Sequence, residues 1–368
     1  MIEDRHMLYP RFAACLIALV ASATLAGSVL AQSPPWPVKG KLIGGARDTG
    51  TDLKKSEDVS GIACASDTGF PRLCLIVDDE SQGAQIVILK DGEILAGDYI
   101  RLITDVYNDK GKQKAAELDA EAVAYADGAF YVTGSHGRPR NTDDATAAAD
   151  RRAAATRRIF QIKFPDGSID LATGKLRGSP TIQSSNRLAN LLGTSLNTAF
   201  DAALKANGLT IEGLAVTERT LHVGMRGPVL PDGRDKNRDK AAILSMPLDS
   251  IFGEGSGQPT IVLLDLAKDS GEVRGIRDLV AYKGGFLIIA GPVLDPANGD
   301  APIQAGDYAI YRHIAGQTTK LLDLTGYGAK VKPEALLPLD EANGTMRALL
   351  LFDGPDEGGG RTITFKFP

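Results

Sequence analysis

The chain has 368 residues and a formal net charge of −5, with 41 glycines and 19 prolines spread along it. This charge provides no basic field, which excludes nucleic acid as an expected partner. Apolar residues occur in short runs bounded by Gly, Asp or Asn, a pattern that argues against a helical protein and predicts an all-β fold.

The N-terminus has the three-part layout of a secretory signal. Arg5 and Arg11 precede an apolar run over 12–30, and small or apolar residues stand before a cleavage point after Ala31. The alternative is an uncleaved membrane anchor, because a run of this length could just span a bilayer.

We therefore predict a signal peptide over 1–31, a Pro-rich leader over 32–40 and one domain over 41–368. The processed chain is expected to be periplasmic or secreted, monomeric and without a stable membrane span.

Cys64 and Cys74 flank a turn-rich stretch between two apolar runs, so paired strands would bring their sulfurs together. In a non-reducing compartment this predicts a disulfide, with two buried free thiols as the alternative.

An internal repeat organises the domain. Five segments each contain a small or acidic residue, an apolar strand, a turn and a second apolar strand ending near Gly or Asp. The five segments are 58–80, 119–137, 211–228, 277–292 and 332–355. A third amphipathic strand follows each of them, and four of them have a candidate fourth strand, such as 260–264 or 319–322.

The fifth repeat has no fourth strand because the chain ends at Pro368, and a strand near 41–43 could supply it. The sequence therefore predicts a β-propeller of five four-stranded blades, closed by pairing of the N-terminal and C-terminal strands. The long interval between the second and third repeats holds insertions near 138–157 and 184–207, and leucines in the latter suggest short helices. The alternative is six blades, with a degenerate blade in that interval.

Two family resemblances follow from these motifs. The Glu-Gly-Leu-Ala hairpin at 212–215, the Glu-Ala-Val-Ala hairpin at 121–124 and the Gly-Pro strand ends resemble the bacterial family called domain of unknown function 3616. The resemblance covers roughly Lys41 to Pro368 and implies no established activity. More distantly, the Glu-Gly repeats look like those of the esterase-like phytase propellers, which implies a calcium-assisted phosphoester or ester hydrolase by analogy.

Repeated acidic residues mark a candidate site. If the first strand of each repeat is innermost, its start and the end of the second strand face one mouth of the central channel. The column at the strand starts consists of Ser60, Glu121, Glu212, Asp278 and Glu334. The column at the strand ends adds Asp78, Asp79, Glu80, Asp353, His136 and Arg226.

Converging carboxylates raise each other's pKa unless a cation accompanies them, and a divalent ion that prefers oxygen ligands, calcium first, suits such a cluster. We predict Glu121, Glu212 and Glu334 as the ligands. The alternative is that the column bonds neighbouring blades together and only closes the ring.

Arg226 and His136 suit an anionic substrate, with His136 as general base. Two functions remain open at this point. One is a divalent-metal-assisted hydrolase of phosphoesters, esters or lactones, and the other is a non-catalytic propeller that binds a small anionic molecule or an envelope protein.

Overall fold

The structure is a computed structural model that describes Met1 and residues 33–47, 52–138, 147–233, 235–268, 270–295, 303–328 and 330–368. The chain divides into two compact units, Met1–Ala31 and Gln32–Pro368, and the fold below belongs to the second unit. Apart from Met1, the predicted signal peptide lies outside the described residues and stays a prediction. Among the described residues, no helix combines the length and the apolar character needed to cross a membrane.

The first blade forms from the leader and the first repeat. The strands of this region are β1 Val38–Lys39, β2 Ile43–Arg47, β3 Asp52–Lys55, β4 Val59–Cys64, β5 Arg72–Asp78, β6 Gly83–Lys90 and β7 Glu93–Arg101. The blade has the order β1-β7-β6-β5-β4, in which only β1 runs parallel to its neighbour. Strand β6 is buried on both faces, since other blades pack on either side. Cys64 and Cys74 lie opposite each other on β4 and β5 and form the predicted disulfide.

A hairpin leads into the second blade, which carries both predicted insertions. The elements are β8 Val106–Asp109, β9 Lys112–Ala115, β10 Ala120–Ala126, β11 Ala129–Gly134, α1 Ala147–Thr156, β12 Ile159–Lys163, β13 Ile169–Asp170, β14 Lys175–Leu176, β15 Thr181–Ser185 and α2 Arg187–Leu196, followed by 3-10 turns at Asn197–Phe200 and Leu204–Ala206. The strand order of the blade is β10-β11-β12-β15. The insertions follow β11 and β15. Helix α1 covers the end of the first, of which 139–146 are not described, and α2 buries Leu188 and Leu192 in the second.

The third and fourth blades share one four-stranded antiparallel design. Their elements are β16 Thr210–Thr217, β17 Thr220–Gly227, β18 Leu230–Asp232, β19 Asp235–Pro247, α3 Asp249–Phe252, β20 Thr260–Leu264, β21 Arg274–Tyr282, β22 Gly285–Pro292, β23 Tyr308–Ile314 and β24 Gln317–Leu324. The strand paths are β16-β17-β19-β20 and β21-β22-β23-β24. The short strand β18 pairs with the start of the long strand β19.

The fifth blade has three strands. They are β25 Lys332–Ala342, β26 Thr345–Asp353 and β27 Arg361–Lys366, in that order, with a 3-10 turn at Asp356–Gly359. The prediction of five blades in a propeller is confirmed. The innermost strands β4, β10, β16, β21 and β25 contact one another in a closed cycle. Glycine permits this close approach at Gly213, where a Cβ would lie 2.6 Å from Cβ of Leu279.

Closure of the ring differs from the expected strand pairing. The segment near 41–43 does not form a fourth strand of the fifth blade, because Ile43 begins β2, which pairs with β3. The leader makes the connection instead: the backbone N–H of Trp36 donates to the carbonyl of Gly360 at 2.7 Å, and its indole N–H donates to Oγ1 of Thr362 at 2.8 Å. Strand β1 pairs in parallel with the free edge of β7. Strand propensity alone could not distinguish this edge from the edge of the fifth blade as the partner of an N-terminal strand.

Candidate functional site

Each innermost strand carries a β-bulge near its start. The register shifts by one residue there, which leaves one side chain out of the strand pairing and re-aims it. The five bulge residues are Ser60, Glu121, Glu212, Arg277 and Glu334. The column named from the sequence coincides with the bulge residue in blades 1, 2, 3 and 5, whereas in the fourth blade the bulge residue is Arg277 and not Asp278.

Arg277 changes the electrostatics of the column because it brings a buried cation to the predicted carboxylates. Its Nε lies 2.9 Å from Oε2 of Glu212 and 3.0 Å from Oε2 of Glu334, and its Nη2 donates to Oε1 of Glu334. Arg226 approaches from β17, with Nη1 3.0 Å from Oε1 of Glu212. Glu212 and Glu334 therefore form ion pairs with arginines. Among the described residues, their carboxylates do not cluster with that of Glu121 closely enough to share one cation.

Asp278 forms an inter-blade contact. It is 7 % exposed, and its carboxylate accepts backbone N–H groups from Leu279 and from Leu336, each at 2.7 Å. Leu336 belongs to β25, so the side chain of Asp278 bonds the fourth blade to the fifth. This is the structural arrangement that the sequence left as the alternative for the whole column.

A cavity of about 310 Å³ opens at the mouth where the innermost strands begin. Blades 1 and 2 and the hairpin between them supply six carboxylates to it, and the fifth blade supplies Asp353 and Lys332. The acidic residues on its wall are Asp58, Asp79, Glu80, Glu117, Asp119, Glu121 and Asp353. The basic residues on its wall are Arg138, Arg152, Arg226 and Lys332.

Three of these carboxylates form one group. Oxygen atoms of Asp79, Asp119 and Glu121 all lie within 4.8 Å of one another. Asp79 follows β5, Asp119 precedes β10 in the left-handed region at φ +53°, and Glu121 is the bulge residue of β10. The hydroxyl of Ser135 donates to Oδ2 of Asp119 and orients it. We call Asp79, Asp119 and Glu121 the acidic triad.

Burial makes this triad unfavourable as three bare carboxylates. Glu121 is 8 % exposed, and within the described residues its carboxylate has no hydrogen bond or ion pair. Burial, and next the charge of Glu212, raises the pKa of Glu121 well above its ordinary value. Burial and then the charge of Asp119 do the same to the pKa of Asp79, whose Oδ1 has no hydrogen-bond partner in the part of the chain that the structure describes. A cation within the triad would relieve both penalties.

The basic side chains on the cavity wall already have carboxylate partners. Nζ of Lys332 lies 2.7 Å from Asp353, and Nη2 of Arg152 lies 3.6 Å from Glu117. Arg226 is bonded to Glu212, and Arg138 reaches Asp150 at 3.3 Å. Among the described residues Asp58, Asp79, Glu80 and Glu121 have no basic partner, so the cavity retains an excess of negative charge.

The remaining two predicted site residues are placed differently from each other. Arg226 lines the cavity but is 1 % exposed, and it also donates to the carbonyl of Val293 at 2.7 Å and to Oδ1 of Asp295 at 2.8 Å. His136 is fully buried, does not line the cavity, and has no hydrogen-bond partner for either ring nitrogen among the described residues. Burial lowers the pKa of His136 to about 3, so its ring is neutral at ordinary pH.

Comparison with known proteins gives a family. Residues 171–362, slightly more than half of the chain, match the model described as "Protein of unknown function (DUF3616)". The chain belongs to the DUF3616 family. The matched range includes the paired residues Glu212, Arg277 and Glu334 of this DUF3616 member, whereas the acidic triad lies before it. The comparisons do not show the distant resemblance to esterase-like phytases, and no curated protein sequence matches significantly.

The solved structures that resemble this DUF3616 protein do so only at low sequence identity. A GH43 β-1,3-galactosidase with galactodeoxynojirimycin has 10% identity, a TM-score of 0.40, and coverage of 87% of this chain and 92% of its own. An oxidoreductase (glucose dehydrogenase) of Thermus thermophilus has 13% identity, a TM-score of 0.33, and coverage of 92% and 98%. A GH43 endo-arabinanase from Bacillus licheniformis has 9% identity, a TM-score of 0.32, and coverage of 84% and 94%. Such scores carry no functional argument.

Sequence reasoning missed several cavity residues of this DUF3616 protein, although a signal for them exists. Two positions before the bulge residue, the repeats carry Asp58, Asp119, Thr210, Gly275 and Lys332. All except the glycine line the cavity. Aligning the repeats on the apolar residue before each bulge would have identified this second ring of positions and would also have placed Arg277 in the column.

Buried carboxyls predict how stability depends on pH. Burial raises the pKa of Asp78 and that of Asp278 to about 7 each. Because these folded-state values exceed the unfolded ones, the stabilisation is present at low pH and is lost as pH rises through 7. In chelator, we expect urea unfolding to show a loss of about 1–1.5 kcal/mol per group between pH 6 and 8.5.

The histidines act in the opposite direction. Burial lowers the pKa of His136 to about 3 and that of His222 to about 4, so stability is lost as pH falls below 6.5. Between about pH 4 and pH 6.5 the losses from the two aspartates and the gains from the two histidines offset each other, so the net decline in stability should begin above about pH 6.5. Asp278→Asn should flatten the decline above that pH, and an unchanged slope in this variant would contradict the assignment.

Proposed function

We propose that this protein is an exported, divalent-cation-dependent hydrolase that acts on small phosphoester, ester or lactone substrates at the channel mouth. The cation, calcium first, is held by the acidic triad. The observation that carries the proposal is Glu121, a buried carboxylate that has no partner among the described residues and lies within 4.8 Å of two others on a cavity wall. This assignment replaces the set Glu121, Glu212 and Glu334, since Arg277 already compensates two of those charges.

The donor set fits calcium. All donors are carboxylate oxygens, which are hard ligands preferred by calcium and magnesium over transition metals. Calcium–oxygen distances of about 2.3–2.6 Å let two ligands of one ion stand up to about 5 Å apart, whereas magnesium, at about 2.0–2.1 Å, allows about 4.2 Å. The triad oxygens lie within 4.8 Å of one another, which is within the span that two ligands of one calcium ion can cover.

The chain's own residues would hold and orient the reactants. Asp79, Asp119 and Glu121 bind the ion, and Ser135 fixes the carboxylate of Asp119. Lys332 and Arg152 lie on the cavity wall, where they can orient an anionic group at the expense of their present carboxylate partners. When bound, a divalent ion supplies an activated water and polarises the substrate oxygen. The volume of about 310 Å³ limits the substrate to a small molecule.

A non-catalytic binding protein is the second candidate. The ion pairs of the basic side chains on the cavity wall favour it. Each of these side chains already pairs with a carboxylate, so an anionic substrate would have to displace that partner. The four are Arg138, Arg152, Arg226 and Lys332. In that case the ion is structural or is itself the ligand. Turnover separates the two candidates.

Calcium binding should be visible in the melting temperature. A chelator should lower Tm, and added calcium should restore it in a concentration-dependent way, with about 2.7 kcal/mol gained at 100 times Kd. Glu121→Gln should abolish this response and any turnover of generic phosphoester, ester or lactone substrates. The measurement is thermal unfolding over a calcium titration, with magnesium in parallel.

Glu212→Gln is the matched control, since it is the same change at the same position of the next blade. It should cost about 1–3 kcal/mol of stability, because Glu212 bonds Arg226 and Arg277, while the calcium response persists. A parent protein that melts identically in chelator and in calcium would refute the cation site. A calcium response without turnover of any substrate would favour the binding protein.

A further inference from the structure

The outer strands of the blades differ in how their free edges are protected. An exposed strand edge offers unpaired backbone groups to another chain, and proteins cover or charge such edges. The edge of β7 is covered by β1 and by the β13–β14 hairpin, where the N–H of Asp98 donates to Gly174 at 3.0 Å. The edge of β27 is bonded to the leader, where the hydroxyl of Ser33 donates to the carbonyl of Thr362 at 2.8 Å.

Two further edges are protected by polar side chains. The outer strand β24 carries the ion pair of Lys320 and Asp323 at 3.1 Å. The outer strand β15 is polar except for Ile182, and its Gln183 and Ser185 side chains donate to carbonyls at the end of α3. Both strands therefore present charges, or side chains that are already bonded.

The edge of β20 has neither kind of protection. The strand contains no charged residue, and three consecutive apolar side chains are exposed, Ile261 at 44 %, Val262 at 40 % and Leu263 at 37 %. Among the described strands, β19 alone pairs with β20. Three adjacent exposed apolar residues on an open edge are typical of a strand that pairs with another chain.

We propose that β20 pairs antiparallel with β20 of a second copy, so that this protein forms a weak symmetric dimer. The strand is complementary to itself: with Val262 on the two-fold axis, Ile261 of one copy lies opposite Leu263 of the other. One face of the joined sheet then contains four large apolar side chains, Ile261 and Leu263 from each copy. On the other face the two Val262 side chains contact each other. No like charges meet, and the two blades become one continuous sheet.

The small contact determines the strength of the dimer. Five residues per copy bury much less than the roughly 1,600 Å² of a standard interface, so the dissociation constant should be micromolar or weaker. The expectation of a monomer from the sequence then applies at low concentration, and the dimer forms as concentration rises. This inference does not depend on the proposed hydrolase activity.

Sedimentation velocity tests the dimer. The weight-average sedimentation coefficient of the parent should rise between about 10 and 500 µM, as micromolar association requires. Val262→Lys places two lysines opposite each other and should hold the coefficient at the monomer value throughout. Leu171→Lys, at an equally exposed leucine in the turn between β13 and β14, should associate like the parent. A parent that stays monomeric at the highest concentration would overturn the proposal.

Cross-linking tests the register independently. Directly opposite residues of an antiparallel pair have Cβ atoms about 4.5–5.5 Å apart, so Val262→Cys should give a disulfide-linked dimer under mild oxidation. Leu171→Cys should give little. Equal cross-linking of the two variants, or none in Val262→Cys, would contradict pairing through β20.

Discussion

Arg277→Met should lower the free energy of unfolding by about 3–5 kcal/mol, because it removes the cation between two buried glutamates. The guanidinium of Arg277 is 2 % exposed and contacts Glu212 and Glu334 from two other blades. After the substitution Glu334 keeps no arginine partner among the described residues, while Glu212 keeps Arg226. Urea unfolding followed by circular dichroism measures the loss.

Two further variants separate a charge effect from a packing effect. Arg347→Met removes an arginine that is bonded to Asp91 and Asp340 at the surface, and it should cost about 0–1 kcal/mol. Adding Glu334→Gln to Arg277→Met removes the uncompensated charge and should recover much of the loss. If Arg277→Met unfolds within about 1 kcal/mol of the parent, the central ion pairs do not hold the blades together.

Trp36→Ala should cost about 3–5 kcal/mol, since it deletes a large buried side chain and opens a connection between the chain ends. Trp36 is 7 % exposed and packs in the cluster that contains Val59, Ile94 and Leu349, from the first and fifth blades. The substitution therefore loosens the contact between the first and fifth blades at which the ring closes. We call this contact the seam.

Trp36→Phe is the control for this seam. It retains most of the apolar contact and loses the hydrogen bond to Thr362, so it should cost about 1–2 kcal/mol. Trp36 is the single tryptophan of the chain, and its fluorescence in the parent should shift to longer wavelength as the seam opens. An unchanged urea midpoint in Trp36→Ala would show that the leader is not part of the closure.

The repeat made most of the fold predictable. Short apolar strands that recur with the same turn pattern identify one supersecondary unit, and stacking such units buries their apolar faces in a propeller. The disulfide was predictable for the same reason, since Cys64 and Cys74 flank one hairpin. Strand closure was not, because β1 and β2 are short and several edges could accept them.

The sequence predicted where the site residues lie in each blade, but not which charges meet there. The sequence identified Glu121, Glu212 and Glu334 as a column, since each starts an innermost strand. It could not assign their partners, because a bulge shifts the register by one residue and exchanges Asp278 for Arg277. One such shift converts a cluster of acids into a neutralised ion-pair network.

Local periodicity was sufficient to predict an all-β repeat of five units with acidic residues at the strand starts, and the two cysteines that flank one hairpin were sufficient to predict the disulfide. Which charges meet is visible only in the folded ring, since Asp79 follows β5 in the first blade whereas Asp119 and Glu121 stand at the start of β10 in the second. The folded ring also separates the buried, arginine-paired Glu212 from Glu121, which has no partner among the described residues. Ring geometry brings these groups together across long stretches of chain, and pairing across the ring decides whether a carboxylate stabilises the fold or remains available to bind a cation.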